Sequence, residues 1–299
     1  MDPRRRTRRK AGPRSSGPLT LAALCLVASA AQAYDELNTR LPDGKAWSQL
    51  FEGEDARAQV KDGLLLGTGR EQTKLLNDGR LRVERSKVYT RVKHPDSGAV
   101  VSLKPPWKVR SVIELSPSLR LRKSETWLDF HPEVDEAIRD EFERFFEWDH
   151  ARTVASADGR ELTHVLWKDG KAVEHERYDY EADDVPLEIV GLTVALAVQR
   201  GIAHFDFDLL IPGGSTHGVR ADVHHVRTAR RFAQGYRVPR EHLTGDGELA
   251  VVEMRLSSPV KYLLFPHEFY MVFETKRPTR LRAMWGGDPD ENLQAFRID

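Results

Sequence analysis

Phe205-Asp206-Phe207-Asp208-Leu209-Leu210-Ile211 is the stretch of sequence that decides the fold. Successive side chains of a β-strand point to opposite faces, so the four apolar residues at odd positions share one face and the two aspartates lie on the other. A strand with one apolar and one polar face is typical of an antiparallel sheet that covers a core on one side. We therefore expect a sheet with one solvent-exposed face.

Similar runs, alternating or rich in β-branched residues, recur along most of the chain. They lie at 80–92, 109–115, 125–130, 145–152, 162–168, 173–180, 203–211, 219–227, 249–256, 269–275 and 280–285. Turn dipeptides such as Asp158-Gly159 and Asp169-Gly170 separate several of them. The order predicts a mainly β fold, an antiparallel meander. A long sheet with one apolar face must curl, close or be covered, which favours a barrel or half-barrel.

One or two helices interrupt this pattern. Asp183-Asp184-Val185-Pro186 supplies an acidic start and an early proline, and an apolar segment follows as far as Val198. Arg200-Gly201 then supplies a basic last turn and a stop glycine. This segment predicts a buried helix against the sheet. A second candidate, 132–146, has apolar residues at helical spacing and is either a helix or an elaborated hairpin.

The order of these elements carries a resemblance to a known family. The relevant pieces are the strand Trp127–Phe130, the strand Phe145–Asp149 continuing to Gly159, the Asp184-Val185-Pro186 helix, the strand-turn-strand from Phe207 to Val223, the strand Val251–Leu256 and the hairpin Phe269–Trp285. From about Val109 to Asp299 the chain resembles the bacterial exported domain-of-unknown-function family 3108. The resemblance implies a lipocalin-like antiparallel sheet and a periplasmic protein without settled activity.

The first 33 residues have the pattern of a secretory signal. Seven basic residues lie within 4–14, an apolar run covers 19–31, and Ala31-Gln32-Ala33 supplies the small residues that signal peptidase needs. The apolar run is shorter than the roughly 20 residues that span a bilayer, so cleavage after Ala33 is favoured over a retained anchor. We therefore predict a cleaved signal (1–33), a polar N-terminal arm (34–60), a single antiparallel β domain (61–299), and a periplasmic protein that is not integral to the membrane.

Removal of the signal changes the charge and the cysteine content. The full chain has 46 basic and 46 acidic residues, and the signal contains seven of the basic residues and one of the acidic residues. The remaining chain has 39 basic and 45 acidic residues, which gives a net charge of −6. A mildly acidic protein lacks the positive surface that nucleic acids require, so we expect no nucleic-acid partner. The one cysteine, Cys25, lies in the signal. The mature chain is thus expected to have no disulfide, no catalytic thiol and no zinc–thiolate site.

Candidate catalytic and metal-binding residues have simpler interpretations. His224 and His225 are adjacent on a predicted strand, so their side chains point to opposite faces and do not readily share a metal. Ser215 and His217 lie where a hairpin turn is expected and lack the Gly-x-Ser-x-Gly pattern of a nucleophile elbow. Asp206 and Asp208 are typical of a solvated strand face. The sequence therefore predicts no catalytic residue, no metal, no cofactor and no enzyme activity.

The aromatic residues on the predicted strands are the strongest candidates for a binding site. They are either ordinary core residues or the lining of an incompletely filled barrel that holds an apolar ligand. The six residues that we predict to line such a pocket are Trp127, Phe146, Trp148, Tyr178, Phe207 and Trp285.

Two functions of different classes follow from these alternatives. The first is a non-enzymatic binder or carrier of a lipid or other hydrophobic small molecule in maintenance of the cell envelope. The second is a structural module that docks an envelope protein or a cell-wall partner and has no ligand cavity. An interior cavity would favour the first function, and a fully packed interior would favour the second.

Overall fold

A computed structural model describes residues 53–61, 65–94, 97, 99–129, 133–145, 147–211, 215–225, 243, 249–257, 268–276, 279–286 and 293–297. The strands are β1 (Gly53–Lys61), β2 (Leu65–Leu75), β3 (Leu81–Lys93), β4 (Val100–Leu115), β5 (Leu121–Asp129), β6 (His150–Ala155), β7 (Glu161–Lys168), β8 (Lys171–Asp179), β9 (Asp184–Pro186), β10 (His204–Ile211), β11 (Ser215–His225), β12 (Leu249–Leu256), β13 (Phe269–Glu274), β14 (Arg280–Gly286) and β15 (Leu293–Arg297). Helix α1 is Glu136–Phe145, and a 3-10 turn, Leu187–Ile189, leads into helix α2, Val190–Gln199.

These strands belong to one continuous sheet. Its order is β8-β7-β6-β5-β4-β3-β2-β1-β15-β14-β13-β12-β11-β10-β9. Each neighbouring pair is antiparallel except β9 and β10, which are parallel. The sheet curls into a half-barrel, which confirms the predicted mainly β, antiparallel architecture. The N-terminal strands form one half of the sheet and the C-terminal strands form the other, joined where β1 pairs with β15.

The two outermost strands, β8 and β9, are only four residues apart in the chain. Arg120 holds this link, because its guanidinium donates to the main-chain oxygens of Tyr180 (3.1 Å), Glu181 and Ala182 (3.0 Å). The same guanidinium lies 3.5 Å from the centre of the Tyr180 ring. The link therefore brings the two ends of the curled sheet close together.

The main core fills one end of the half-barrel. Helix α2 has buried residues on every side, from Leu192 to Val198 without a break. A helix that is apolar all round belongs in a core, and it packs there with residues from both halves of the sheet, including Leu81, Leu121 and Phe205. The predicted buried helix is thus confirmed from Val190 onward, and it closes one end of the interior. Asp184–Pro186, which the sequence placed at the start of this helix, instead form strand β9.

Helix α1 decides the open question about residues 132–146. The Asp135 carboxylate accepts a hydrogen bond from the Ile138 amide at 3.0 Å, as an acidic residue does at a helix start. Ile138 is 1% exposed and packs with Val92, Leu103 and Trp107 in a second cluster. The predicted strand at 145–152 therefore begins too early, because helical spacing continues to residue 145 and β6 starts only at 150.

One expectation about the sheet is wrong in its C-terminal half. The face of β12–β14 that turns away from the main core is buried, with Val272 and Trp285 both 0% exposed. These residues pack with Val251, Tyr270 and Leu243 in a further cluster. The outward positions Val251, Tyr270, Val272, Ala283 and Trp285 are buried as well as the inward ones, so these strands are covered on both faces. These strands therefore lack the solvent-exposed face that the sequence predicted for the sheet.

Strand β1 begins inside the segment 34–60 that the sequence suggested as a polar arm. The β domain thus includes residues 53–60, which pair with both β2 and β15 over part of their length. The predicted signal (1–33) and the rest of the arm lie outside the described residues. Among the helices that the structure describes, none has the length and apolar character needed to cross a bilayer.

Candidate functional site

The half-barrel contains a cavity of about 680 Å³ between its two halves, partly open to solvent. This volume lies within the range of roughly 300–1,000 Å³ that is usual for small-molecule sites. Strands β10–β14 form an apolar wall. Its members are Phe207, Leu209, Val219, Met254, Leu256, Phe269, Met271, Leu281 and Met284. Leu187 and Val190 of the helical segment lie at the side of the cavity.

The opposite wall is polar, and strand β3 explains why. Leu81 and Val83 belong to the main core, and the following alternate positions are Arg85, Lys87 and Tyr89. All three of these line the cavity. Because alternate residues of a strand share a face, two cations follow directly after two core residues on the inner face of β3. We call this wall, with Glu71 of β2, the basic wall.

Arg85 is fixed by two partners. Its Nε donates to Oε2 of Glu71 at 2.6 Å, across the β2–β3 pair. Its Nη1 donates to the main-chain oxygen of Glu188 at 2.7 Å. Arg85 therefore ties the 3-10 turn to the basic wall and holds its own guanidinium at the cavity. Burial raises the pKa of the nearby Tyr89 hydroxyl to about 12, so that group stays protonated near neutral pH.

A group of buried polar side chains lies on the inner face of β5–β7. Thr153 Oγ1 and His164 Nδ1 are 2.9 Å apart, and both side chains are at least 95% buried. Ser124 donates to Oε1 of Glu188 at 3.3 Å. Burial lowers the pKa of His164, and the charges of Glu188 and Glu176 partly oppose this effect. His164 is therefore neutral near pH 7, as expected for a histidine that forms a core hydrogen bond.

Two of the six predicted pocket aromatics lie inside the half-barrel. Phe207, 4% exposed, lies in the apolar wall of the cavity. Tyr178 pairs with Leu162 on the inner side of β7–β8 and packs against the main core. Burial and the charges of Glu188 and Glu176 raise its pKa far above the usual value. Of the two, Phe207 is a described lining residue of the cavity.

Trp127 and Trp285 lie elsewhere. Trp127 is half-buried and stacks on His150, with ring centres 5.4 Å apart, and His150 stacks in turn on Trp167. Trp127 also pairs across the sheet with Arg110, whose position alternates with the inward Ser111. Trp127 is therefore on the outer face. Trp285 stacks on Tyr270 in the outer cluster of β12–β14, on the side of the sheet away from the cavity.

The remaining two aromatics are adjacent to the start of β6. Trp148 is half-buried in the segment between α1 and β6 and is not among the described lining residues of the cavity. Phe146 lies outside the described residues. The structure thus does not bring the six residues together as one pocket.

Sequence reasoning missed the basic wall and most of the apolar wall. Arg85 and Lys87 lie in the charged run Arg82-Val83-Glu84-Arg85-Ser86-Lys87, which is typical of a solvated strand face. Arg85 and Lys87 continue the alternate positions of Leu81 and Val83, so the sequence could have placed them on the same face of the strand as these two apolar residues. The methionines Met254, Met271 and Met284 follow the apolar alternation of their strands, and flexible methionines are common in adaptable binding surfaces.

The acidic and histidine candidates have structural partners. Carboxylate oxygens of Asp183, Asp184 and Asp208 lie within 4.8 Å of one another. They offer three hard oxygen ligands, fewer than the six or more that Ca²⁺ takes. His224 Nε2 is 2.6 Å from Oε2 of Glu253 on the neighbouring strand. These contacts are sufficient to explain the residues as parts of the sheet and its turns.

Fold and cavity together define a β-barrel-like protein with an amphipathic interior. The solved structures include a similar one, the crystal structure of a β-barrel-like protein of domain of unknown function DUF1849 from Brucella abortus. The likeness has a TM-score of 0.51 at 10% sequence identity and covers 84% of this chain and 97% of that chain. At this identity it shows the fold alone. No protein-family model matches the chain, and no curated protein matches it in sequence.

Proposed function

We propose that this protein is a non-enzymatic periplasmic binder or carrier of a hydrophobic small molecule, with the cavity between the two halves of the sheet as its site. The observation that carries the proposal is the wall of nine apolar side chains from β10–β14 around a space of about 680 Å³. Burial of an acyl chain against such a wall is favourable by roughly 0.8 kcal/mol per methylene.

The cavity also supports the first of the two functions suggested by the sequence. A docking module needs no interior space, and its core would be filled by its own side chains. Here the inner face of β10–β14 continues from the packed core, where Phe205 is 2% exposed, to half-buried Leu209 and Met284 at the cavity. The change from packed to open interior along the same strands favours carriage over docking.

Two further statements belong to the same proposal. The periplasmic location rests on the signal pattern of residues 1–33. The proposed relation to the exported domain-of-unknown-function family 3108 rests on the order of the elements in the sequence. The similar crystal structure from Brucella abortus is of a β-barrel-like protein of a different domain of unknown function, DUF1849. We expect a carrier in that compartment to act in maintenance of the cell envelope.

Binding of an environment-sensitive apolar dye tests the proposal. We expect saturable binding to the wild type, and we expect Met284→Trp to weaken it at least tenfold by filling the cavity. Arg122→Trp places the same side chain on an exposed position of β5 and should leave the dye affinity unchanged. Equal dye affinity in the two variants would show that the dye binds elsewhere and would contradict the proposed site.

A further inference from the structure

We propose that the ligand of this cavity is an amphiphile with an uncharged head group, and that Glu71 sets this preference by neutralising Arg85 at the basic wall. The inference rests on the proposed function and adds to it the class of head group and a residue that determines specificity. A hydroxyl, an ester or an amide belongs to this class, whereas a carboxylate, a phosphate or an ammonium group does not.

Six charged residues line the cavity in the described part of the chain, but two of them lie on the outer face of the sheet. Arg70 precedes inward Glu71 on β2, and its own position is exposed. Arg255 follows inward Met254 on β12 and is paired with Asp222 at 3.0 Å. Since successive residues of a strand point to opposite faces, the guanidinium groups of Arg70 and Arg255 belong to the outer surface.

The four charges that remain inside the cavity cancel. Arg85 and Lys87 are positive, and Glu71 and Glu188 are negative. The Glu188 carboxylate lies on the inner side, because Ser124 on the inner face of β5 donates to it at 3.3 Å. An uncharged ligand leaves this balance as it is, whereas an ionic head group would add a charge beside the apolar wall of β10–β14.

The contact between Arg85 and Glu71 strengthens this preference. Their side chains are 24% and 15% exposed, and the distance from Nε to Oε2 is 2.6 Å. A carboxylate or phosphate ligand would have to share Arg85 with Glu71, which repels it, and an ammonium ligand would meet the same conflict with Arg85. Separation of a largely buried ion pair is costly, because one partner then keeps its charge without compensation. The pair therefore disfavours ionic head groups of both signs.

The basic wall still needs a ligand group that forms hydrogen bonds, because polar side chains are unfavourable next to hydrocarbon alone. Tyr89 lines the cavity two positions beyond Lys87 on the same face of β3. Its hydroxyl keeps its proton near neutral pH, and a phenol hydroxyl can both donate and accept a hydrogen bond. A hydroxyl, ester or amide head group can pair with it without bringing a charge.

Displacement of the bound dye at pH 8 by three ligands with the same chain tests the inference. At this pH dodecanol is uncharged, dodecanoate is an anion and dodecylamine is a cation. We expect dodecanol to bind the wild type at least about tenfold more tightly than either ion, because burial of an unpaired charge costs more than burial of a neutral polar group.

Replacement of Glu71 by glutamine connects this preference to the ion pair. Glu71→Gln keeps an acceptor for Arg85 and removes the negative charge, so the interior gains one positive charge. We expect the affinity for dodecanoate to rise at least about tenfold relative to that for dodecanol, as one charged hydrogen bond provides. Glu84→Gln is the matched control, because Glu84 accepts a hydrogen bond from Arg82 Nε at 2.8 Å on the outer face of β3. It should leave the ratio of the two affinities unchanged.

The failures of the two proposals are distinguishable. Binding of dodecanoate or dodecylamine to the wild type as tightly as dodecanol would overturn the uncharged head group and leave the hydrophobic carrier intact. An unchanged ratio in folded Glu71→Gln would overturn the role of Glu71. Absence of displacement by all three ligands would overturn both proposals. If Glu71→Gln does not fold, Arg85→Gln tests the pair from its other side and should raise the affinity for dodecylamine relative to dodecanol, and the wild-type comparison still decides the class of head group.

Discussion

Replacement of Asp184 by asparagine should make the protein more stable at neutral pH. Asp184 is 4% exposed on β9, and its Oδ2 accepts the Glu181 amide at 2.7 Å. Burial raises the pKa of this carboxyl from 3.8 to about 6, the Glu181 amide opposes the shift, and the charges of Asp183 and Asp208 add to it. A shift of this size corresponds to about 3 kcal/mol between the charged and neutral forms.

The direction of the pH effect follows from this raised pKa. Well below the usual pKa of 3.8 the carboxyl is neutral in both the folded and the unfolded chain, and its environment costs nothing. As the pH rises towards 6, the unfolded chain ionises while the folded chain keeps its proton, so stability falls. Above pH 6 the folded protein carries the buried charge and the full cost applies. Asparagine keeps an acceptor for the Glu181 amide and has no charge.

Urea unfolding followed by tryptophan fluorescence at pH 4.5, 6 and 8 measures the effect. We expect Asp184→Asn to exceed the wild type by up to about 3 kcal/mol in the free energy of unfolding at pH 8, with a smaller difference at pH 4.5. Asp140→Asn, at an exposed position of α1, is the control and should follow the wild type. An Asp184→Asn protein that is no more stable than the wild type at pH 8 would refute the reasoning.

Three further predictions concern the packing of the sheet. Gly67→Ala would place a Cβ 2.2 Å from the Val88 oxygen and should lower the free energy of unfolding in urea by about 1–3 kcal/mol. Gly191→Ala on α2 meets nothing within 4 Å and should raise the free energy of unfolding by about 0.5–1 kcal/mol. The opposite order of stabilities would contradict the register of β2 and β3. Trp285→Ala should cost about 3–5 kcal/mol and leave dye affinity of the folded protein unchanged, because this residue packs on the outer face; a loss of dye binding without a loss of stability would place it in the cavity. Arg120→Ala should cost about 1.5–3 kcal/mol and speed hydrogen exchange at 180–186; unchanged exchange there would show that other contacts hold the link.

Strand alternation was sufficient to predict much of the fold. Phe205 and Phe207 are buried as their pattern indicates, and the apolar helix after Pro186 is part of the core. The pattern was insufficient on β13 and β14, because the buried residues on both faces there are apolar and the covering cluster includes Leu243, which precedes β12 and lies outside these two strands. Periodicity gives the faces of a strand, but which face is covered depends on the tertiary structure.

The candidate site was predictable only in part for a related reason. Phe207 follows the alternation and lines the cavity, whereas Trp127 lies on the outer face of β5 despite its size. Aromatic character alone does not tell which face of a strand turns inward. Arg85 and Lys87 look solvated in the sequence, and they become inward residues only because the curl of the sheet encloses the face that they share with Leu81.

The central claim, a cavity that carries a hydrophobic ligand, is tested most directly by native mass spectrometry of the gently purified protein, followed by solvent extraction and lipid analysis. We predict a stoichiometric mass excess that disappears in the Met284→Trp protein, and an extracted amphiphile with an acyl chain. A clean mass without ligand, under conditions that preserve the complex of a known lipid carrier treated in parallel, would contradict the account.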